Sequence, residues 1–410
     1  MIWSGISTHI QKETERREEV NWSVDDINLF LASQLVMGLT PEPSIDDYFR
    51  DDLDGIFGSN WMKERFTAKW WSNVHSHIHY DSNICMNLLR NNSQKVWNLD
   101  QVLVVDEMLI PFTGKWKYIQ YIKGKPHNTG LKMFCLADSN FYIWDFWLYK
   151  GVESERSAKP MNIVLDFISN ATKIQHKPFY VVVDSYYGSL KLAEALHEKR
   201  IGFLFSCKSD RPAKLFSKFL HDDLEKGSFN FTNNRDFSAM TYFDKAKVNL
   251  ITNLFLTNKI VQNSTQKKSI PFGLYWYRRW LGGVDHFDRW LHLYLSSHRN
   301  IKWTQALLTA LLKIAVGNTN IIANNSGFDT NLKNTTIEII KHLAKDTTFR
   351  QERGRDRVKK GFQHFPMKMD KAKLCIECSK NNSRSNTKYI CKVCEVPLHA
   401  ECFESYHVNN

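Results

Sequence analysis

Two wholly apolar runs, each closed by an aspartate, constrain this chain more than any other feature. Val102-Leu-Val-Val105 leads into Asp106-Glu107, and Phe179-Tyr-Val-Val-Val183 leads into Asp184. Runs of this length, rich in valine, read as strands buried on both faces. An aspartate directly after such a strand stands at the sheet's exit, where open α/β folds bind their ligands. The bland alternative is that each aspartate caps a neighbouring helix.

The surrounding pattern supplies the rest of a sheet. Leu131–Leu136 and Phe141–Leu148 alternate about Asp138-Ser-Asn140 and predict a hairpin. Ile163 to Ile168 suggests a helix, Leu190 to Leu196 a second, and Ile201–Ser206 a short strand. Three strands, helix, strand, helix, strand is the order of an RNase H-like α/β core, a mixed sheet flanked by helices. We assign this core to residues 101–206 and 273–345, interrupted over 207–272 by an inserted β subdomain with short strands at Ser228–Phe231, Ala239–Phe243 and Val248–Thr252. Thr304 to Ile322 predicts a long apolar helix covering the sheet.

Residues 1–100 read as a helical N-terminal region for dimerisation or DNA binding. Residues 1–22 are charged and expected to fray, whereas Ser23-Val-Asp-Asp26 has the form of a capping box. Ser44-Ile-Asp-Asp-Tyr48 suggests another helix start, Asp51, Asp52 and Asp54 a solvated surface, and Trp61 to Tyr80 an aromatic helical stretch. His75, His77 and His79 near its end alternate, which suits one face of a strand but not of a helix, so we read them as structural. Residues 346–363 form a basic linker, and 364–410 a cysteine-rich module.

Lys and Arg outnumber Asp and Glu by 55 to 43, a net charge of +12 that favours a polyanionic partner. No apolar run is expected to reach the length of a membrane span, and no secretory h-region opens the chain. Five of eight cysteines crowd into the last forty residues beside histidines, which suggests metal rather than disulfides and a reducing compartment, cytosol or nucleus. The potential zinc ligands are Cys375-x-x-Cys378, Cys391-x-x-Cys394, His399-x-x-Cys402 and His407, with His364 as the candidate eighth. In an alternating cross-brace, Cys375, Cys378, His399 and Cys402 share one Zn²⁺, and Cys391, Cys394, His407 and His364 the other.

A third acidic motif follows a glycine pair: Gly282-Gly-Val-Asp-His-Phe-Asp288. In a helix beginning there, Asp285 and Asp288 share a face. Carboxylates converging from separate segments suit two Mg²⁺ or Mn²⁺ ions, which favour oxygen ligands and share sites with phosphate. Basic residues flank the motifs: Lys115, Lys117, Lys123, Lys125 and Lys132 near the first, Arg278, Arg279, Arg289, Arg299 and Lys302 near the third. Such side chains hold backbone phosphates without reading sequence, although exposed lysines are also common without a ligand.

The wording of these blocks is more specific than their spacing. Val105-Asp-Glu-Met-Leu-Ile-Pro-Phe-Thr-Gly114, Tyr121-Ile-Lys-Gly-Lys-Pro126 and Gly130-Leu-Lys-Met-Phe134 resemble the first catalytic block of piggyBac-type transposases. Val183-Asp-Ser-Tyr-Tyr-Gly-Ser-Leu190 resembles the second block, and Gly282 to Asp288 the third. The resemblance implies a DDE/D transposase that acts on double-stranded DNA as a homodimer in the nucleus, excising through hairpinned ends and inserting at TTAA. It makes Asp106, Asp184 and Asp285 the catalytic, metal-binding carboxylates, with Asp288 a fourth. It also implies a cysteine-rich C-terminal domain, with His399 standing where cysteine is usual. Ser185 and Gly188 depart from the expected asparagine and threonine or serine, and a longer N-terminal region is expected of the family. Two other readings use the same scaffold: a domesticated DNA-binding protein without catalysis, and a chromatin-interaction protein acting through its zinc module.

Overall fold

The computed structural model describes residues 2–18, 20, 22–50, 59–123, 125, 127–154, 156–208, 224–255, 259–263, 268–295, 300, 302–344, 366–380 and 383–409. The chain forms two compact units, one of Met1–Pro41 with His75–Leu343, the other of Glu42–Val74 with Ala344–Asn410.

The helices are α1 (Ile2–Glu18), α2 (Val24–Leu39), α3 (Asn60–Lys63), α4 (Ala68–His77), α5 (Ser82–Val96), α6 (Pro160–Gln175), α7 (Leu190–Glu198), α8 (Phe272–Trp280), α9 (Gly283–Tyr294), α10 (Trp303–Asn325), α11 (Leu332–Leu343), α12 (Ile376–Lys380) and α13 (Cys402–Asn409). The strands are β1 (Val102–Pro111), β2 (Gln120–Tyr121), β3 (Thr129–Asp138), β4 (Ile143–Leu148), β5 (Tyr180–Val183), β6 (Gly202–Cys207), β7 (Phe229–Asn233), β8 (Ser238–Phe243), β9 (Lys247–Thr252), β10 (Ile260–Asn263), β11 (Lys268–Pro271), β12 (Pro366–Leu374) and β13 (Asn386–Cys391).

β1 is the axis of the large unit. It pairs antiparallel with β3 and parallel with β5; β3 pairs with β4, and β5 runs parallel to β6. The resulting order β4-β3-β1-β5-β6 is the RNase H-like core expected from the sequence. The pleat divides the apolar residues between two faces. Leu103, Val105, Val181 and Val183 pack under α6 and α7 with Trp144, Trp147 and Phe167, while Val102, Val104 and Val182 face α8 with Leu274 and Tyr277. Three strands of the insertion join this sheet, because β9 pairs antiparallel with β6 and continues through β8 to β7, while β10 and β11 form a two-stranded sheet of their own.

Other expectations need correction. Residues 2–18 form a helix: Ile6, Ile10 and Thr14 recur every four residues and are buried, a stripe masked by the charges between them. Ser44 opens only a 3₁₀ turn, Asp46–Phe49. The capping box is present, Ser23 Oγ accepting from the Asp26 amide at 3.2 Å while Asp26 Oδ2 accepts from the Ser23 amide at 2.9 Å. α10 is by length and composition apolar enough to cross a membrane, contrary to expectation, yet 67% of its most apolar window is buried in the protein. Asp51, Asp52 and Asp54 lie outside the described residues.

Candidate active site and zinc module

The parallel register pairs Val105 with Val183. One residue further along both chains stand Asp106 and Asp184, side by side on neighbouring strands; Asp184 follows the end of β5 as expected, but Asp106 lies inside β1, which runs on to Pro111 because β3 continues to pair with it. The Tyr277 phenol of α8 lies within electrostatic reach of both and is pushed well above the ordinary tyrosine range by its burial and by their charge. α9 lies across β1 because Gly283 permits it: a Cβ there would meet Val104 at 3.3 Å. That packing carries Asp285, in the first turn of α9, to Asp106.

Three buried carboxylates of this sheet differ in how they are satisfied. Asp138 accepts from the Trp97 indole at 2.7 Å and from the amides of Asp100, Asn140 and Tyr142. Asp145 is held by Arg156 at 3.1 Å, Arg90 at 3.7 Å and the Asn170 amide at 2.9 Å. Asp106 accepts a single hydrogen bond among the described residues, from the Glu107 amide at 2.8 Å. Burial, then the charges of Glu107 and Asp285, push Asp106 well above the usual carboxylate range, against the pull of Lys125. Burial also raises Asp184, opposed by the Tyr186 amide. Crowded, undersatisfied carboxylates of this kind are the donor set a hard divalent cation fits.

Asp288 stands one turn further on, its Oδ1 3.3 Å from His292 Nε2 and its charge near the buried Lys313. It lines, with Asp285, Lys125, His127, Arg289 and His292, a groove of about 390 Å³.

The basic candidates divide into two groups. Lys125 and Lys132 lie at the carboxylates: Lys125 Nζ is 2.7 Å from Asp285 Oδ1, and Lys132 Nζ is 4.0 Å from Glu107 Oε2. Arg289 is exposed at the groove, and Lys115, Lys123 and Arg279 are exposed on the surface. Lys117 is instead paired with Glu153 at 2.6 Å, Arg278 with Asp244 at 3.4 Å, and Lys302 donates to the Ser76 carbonyl at 2.7 Å. Arg299 lies outside the described residues. The histidines suit a structural role: His75 is held down to about 4 by burial, His79 pairs with Glu18 at 2.5 Å, and His77 is half-buried with Nδ1 2.9 Å from the Ser76 hydroxyl. Sequence reasoning missed Tyr187, whose hydroxyl donates to Glu107 Oε2 at 3.1 Å, and Lys313. The Asp106-Glu107 tandem was the available signal.

In the smaller unit, Cys375, Cys378, His399 and Cys402 converge with ligand atoms within 4.8 Å of one another, as do Cys391, Cys394 and His407. Cys378 Sγ and Cys402 Sγ are 3.6 Å apart, near the ~3.8 Å that two sulfurs of a tetrahedral zinc subtend. His399 turns Nδ1 to Cys378 Sγ at 3.4 Å and Nε2 to the Asn386 carbonyl at 3.1 Å. His407 turns Nε2 to Cys394 Sγ at 3.8 Å and Nδ1 to the Phe403 carbonyl at 2.6 Å. One ring nitrogen per histidine is thus anchored on backbone, as for zinc-ligating imidazoles. His364 lies outside the described residues.

Residues 2–320 match the family model described as "Transposase IS4", and residues 359–408 match that described as "DDE_Tnp_1-like zinc finger". Two human proteins are similar to the chain. PiggyBac transposable element-derived protein 3 is 24% identical over 328 residues, covering 74% of this chain and 54% of that protein. PiggyBac transposable element-derived protein 2 is 22% identical over 343 residues, covering 77% and 57%. The chain belongs to the piggyBac-type transposase family. It spans little more than half the length of these two piggyBac-derived relatives. Its fold is shared with a piggyBac transposase synaptic complex with hairpin DNA, at a TM-score of 0.74 and 18% identity over 97% of this chain and 92% of that one.

Proposed function

We propose that this protein cleaves and joins DNA strands, Asp106, Asp184 and Asp285 holding two Mg²⁺ or Mn²⁺ ions with Asp288 as a fourth carboxylate. The reading is supported by one observation: the β1–β5 register sets Asp106 beside Asp184, and the seat of α9 brings Asp285 within electrostatic reach of Asp106. Divalent ions bound there supply an activated attacking oxygen and stabilise the leaving one. The chain's own part is to orient the carboxylates: the Glu107 amide fixes Asp106 Oδ1 and the Tyr186 amide fixes Asp184 Oδ1 at 2.9 Å. Arg289 lines the groove and holds backbone phosphates. Excision through hairpin ends, insertion at TTAA, action as a homodimer, two zinc ions in the C-terminal module and a nuclear site of action belong to the same proposal.

The test is nicking of duplex DNA bearing TTAA in Mn²⁺. Asp106→Ala, Asp184→Ala and Asp285→Ala are each expected to lower the rate on the order of a hundred-fold or more, since each loses charge that holds metal. A variant that nicks like the parent protein removes that residue from the catalytic set. A parent chain that binds TTAA duplex yet never nicks it supports the domesticated, non-catalytic reading instead.

A further inference from the structure

Lys125 lies at the carboxylate cluster, in the wall of the groove. Its Nζ donates to Asp285 Oδ1 at 2.7 Å and to the Glu107 carbonyl at 3.2 Å, and the side chain keeps only 19% of its exposure. Asp106 and Glu107 also act on this ammonium electrostatically. We propose that Lys125 is a built-in competitor of the divalent ion, a fixed cation that shares Asp285 with the metal and sets how tightly the site holds it.

The inference rests on the carboxylates being metal ligands. A carboxylate oxygen in a 2.7 Å charge-assisted hydrogen bond offers a metal less electron density and a narrower approach. A positive charge on one ligand also repels a second cation at the next, most strongly where solvent is excluded. Lys132 is placed differently: its ammonium lies over the Phe134 and Tyr186 rings at 4.6 and 4.8 Å and 4.0 Å from Glu107, with no hydrogen bond to a proposed ligand among the described residues. The competition therefore belongs to Lys125 and to Asp285.

The experiment measures Mn²⁺ binding by electron paramagnetic resonance on the full chain with its zinc sites loaded. Lys125→Met is expected to tighten binding roughly ten-fold and to move the Mn²⁺ dependence of nicking to lower concentration. Lys125→Gln repeats the measurement with a polar side chain, and circular dichroism shows which variants are folded. Lys125→Arg, which keeps the charge, is expected to stay within about three-fold of the parent. Unchanged or weaker Mn²⁺ binding in both neutral variants, with Asp106→Asn and Asp285→Asn losing it, overturns the competitor role and leaves the metal site standing. Mn²⁺ binding unaffected by Asp106→Asn and Asp285→Asn overturns both.

Discussion

At the scale of single residues, the buried Lys313 has the clearest thermodynamic signature. Its Nζ donates to the Leu295 carbonyl at 2.6 Å, just past the end of α9, from a nearly closed environment. Burial holds it down to about 8, against the favourable charge of Asp288. An unfolded lysine titrates near ~10.4, so between about pH 8 and pH 10.4 the unfolded chain binds the extra proton and stability rises with pH. Below that window the cost of burying the charge, roughly 3 kcal/mol, is present in full. Urea unfolding of the parent protein is expected to show this rise from pH 8 to 10, and Lys313→Met to lack it. Parallel profiles across the window mean that Lys313 keeps an ordinary pKa. Gly188 illustrates the opposite case, a residue whose identity is steric. A Cβ there would fall 1.9 Å from the Ser206 carbonyl oxygen, so the turn after Asp184 lies against β6 only with glycine. The threonine or serine expected by resemblance has no room in this backbone.

At the scale of elements, the position of α9 decides where Asp285 and Asp288 stand, and α9 is seated on glycines from two sides. Gly283 lets it meet β1, and Gly317 of α10 leaves space for the Phe287 ring, whose nearest atoms would be 2.6 and 2.7 Å from an added Cβ. Two effects oppose each other in Gly317→Ala. Helix propensity favours alanine by about 1 kcal/mol, while overpacking a closed core costs about 1–3 kcal/mol. Phe287 is fully buried, so its ring has nowhere to go, and overpacking is expected to win. The thermal midpoint should fall and Mn²⁺ binding should weaken as α9 shifts; a rise in the midpoint would show that the ring accommodates the methyl. Legibility at this scale followed the strength of local patterns. β1, β5 and the β3–β4 hairpin stood out because four to ten consecutive residues carry one periodicity. α1 did not, because Ile6 and Ile10 are followed at once by seven charged side chains from Lys12 to Glu19, which dominate the composition of the stretch. The joining of β9 to β6 was invisible, since strand pairing at long range leaves no mark on either strand alone. For the same reason the pairing of Lys125 with Asp285, 160 residues away, was invisible: it exists only once β3 and α9 are both seated on β1.

At the scale of the whole molecule, the large unit and the C-terminal module are held by different physics, and removing metal should affect them differently. The large unit buries apolar residues on both faces of a nine-stranded sheet, so its stability does not depend on zinc. The C-terminal module has a buried cluster of Cys375, Cys391, Val396, Leu398 and Tyr406, two of which are themselves proposed ligands. Three apolar side chains, each contributing about 1.5–3 kcal/mol on burial, fall far short of the ~1–2 kcal/mol per residue that ordering the backbone costs. On the proposed reading, zinc binding makes up that difference, as in small metal-organised domains. The thiols are disposed for it: although burial opposes ionisation, the amides of Cys378 and His399 and the neighbouring sulfurs draw Cys375 down to about 7. Titration of the full chain with a strong zinc chelator is expected to release two zinc ions. Amide hydrogen exchange should then become fast across 366–409 and remain slow in β1, β5 and β6. Cys378→Ser should release the ion shared with Cys375, His399 and Cys402 at lower chelator concentration than the other. Exchange that stays slow in 366–409 after both ions have left would show a module folded by its own core and would refute the metal-organised account.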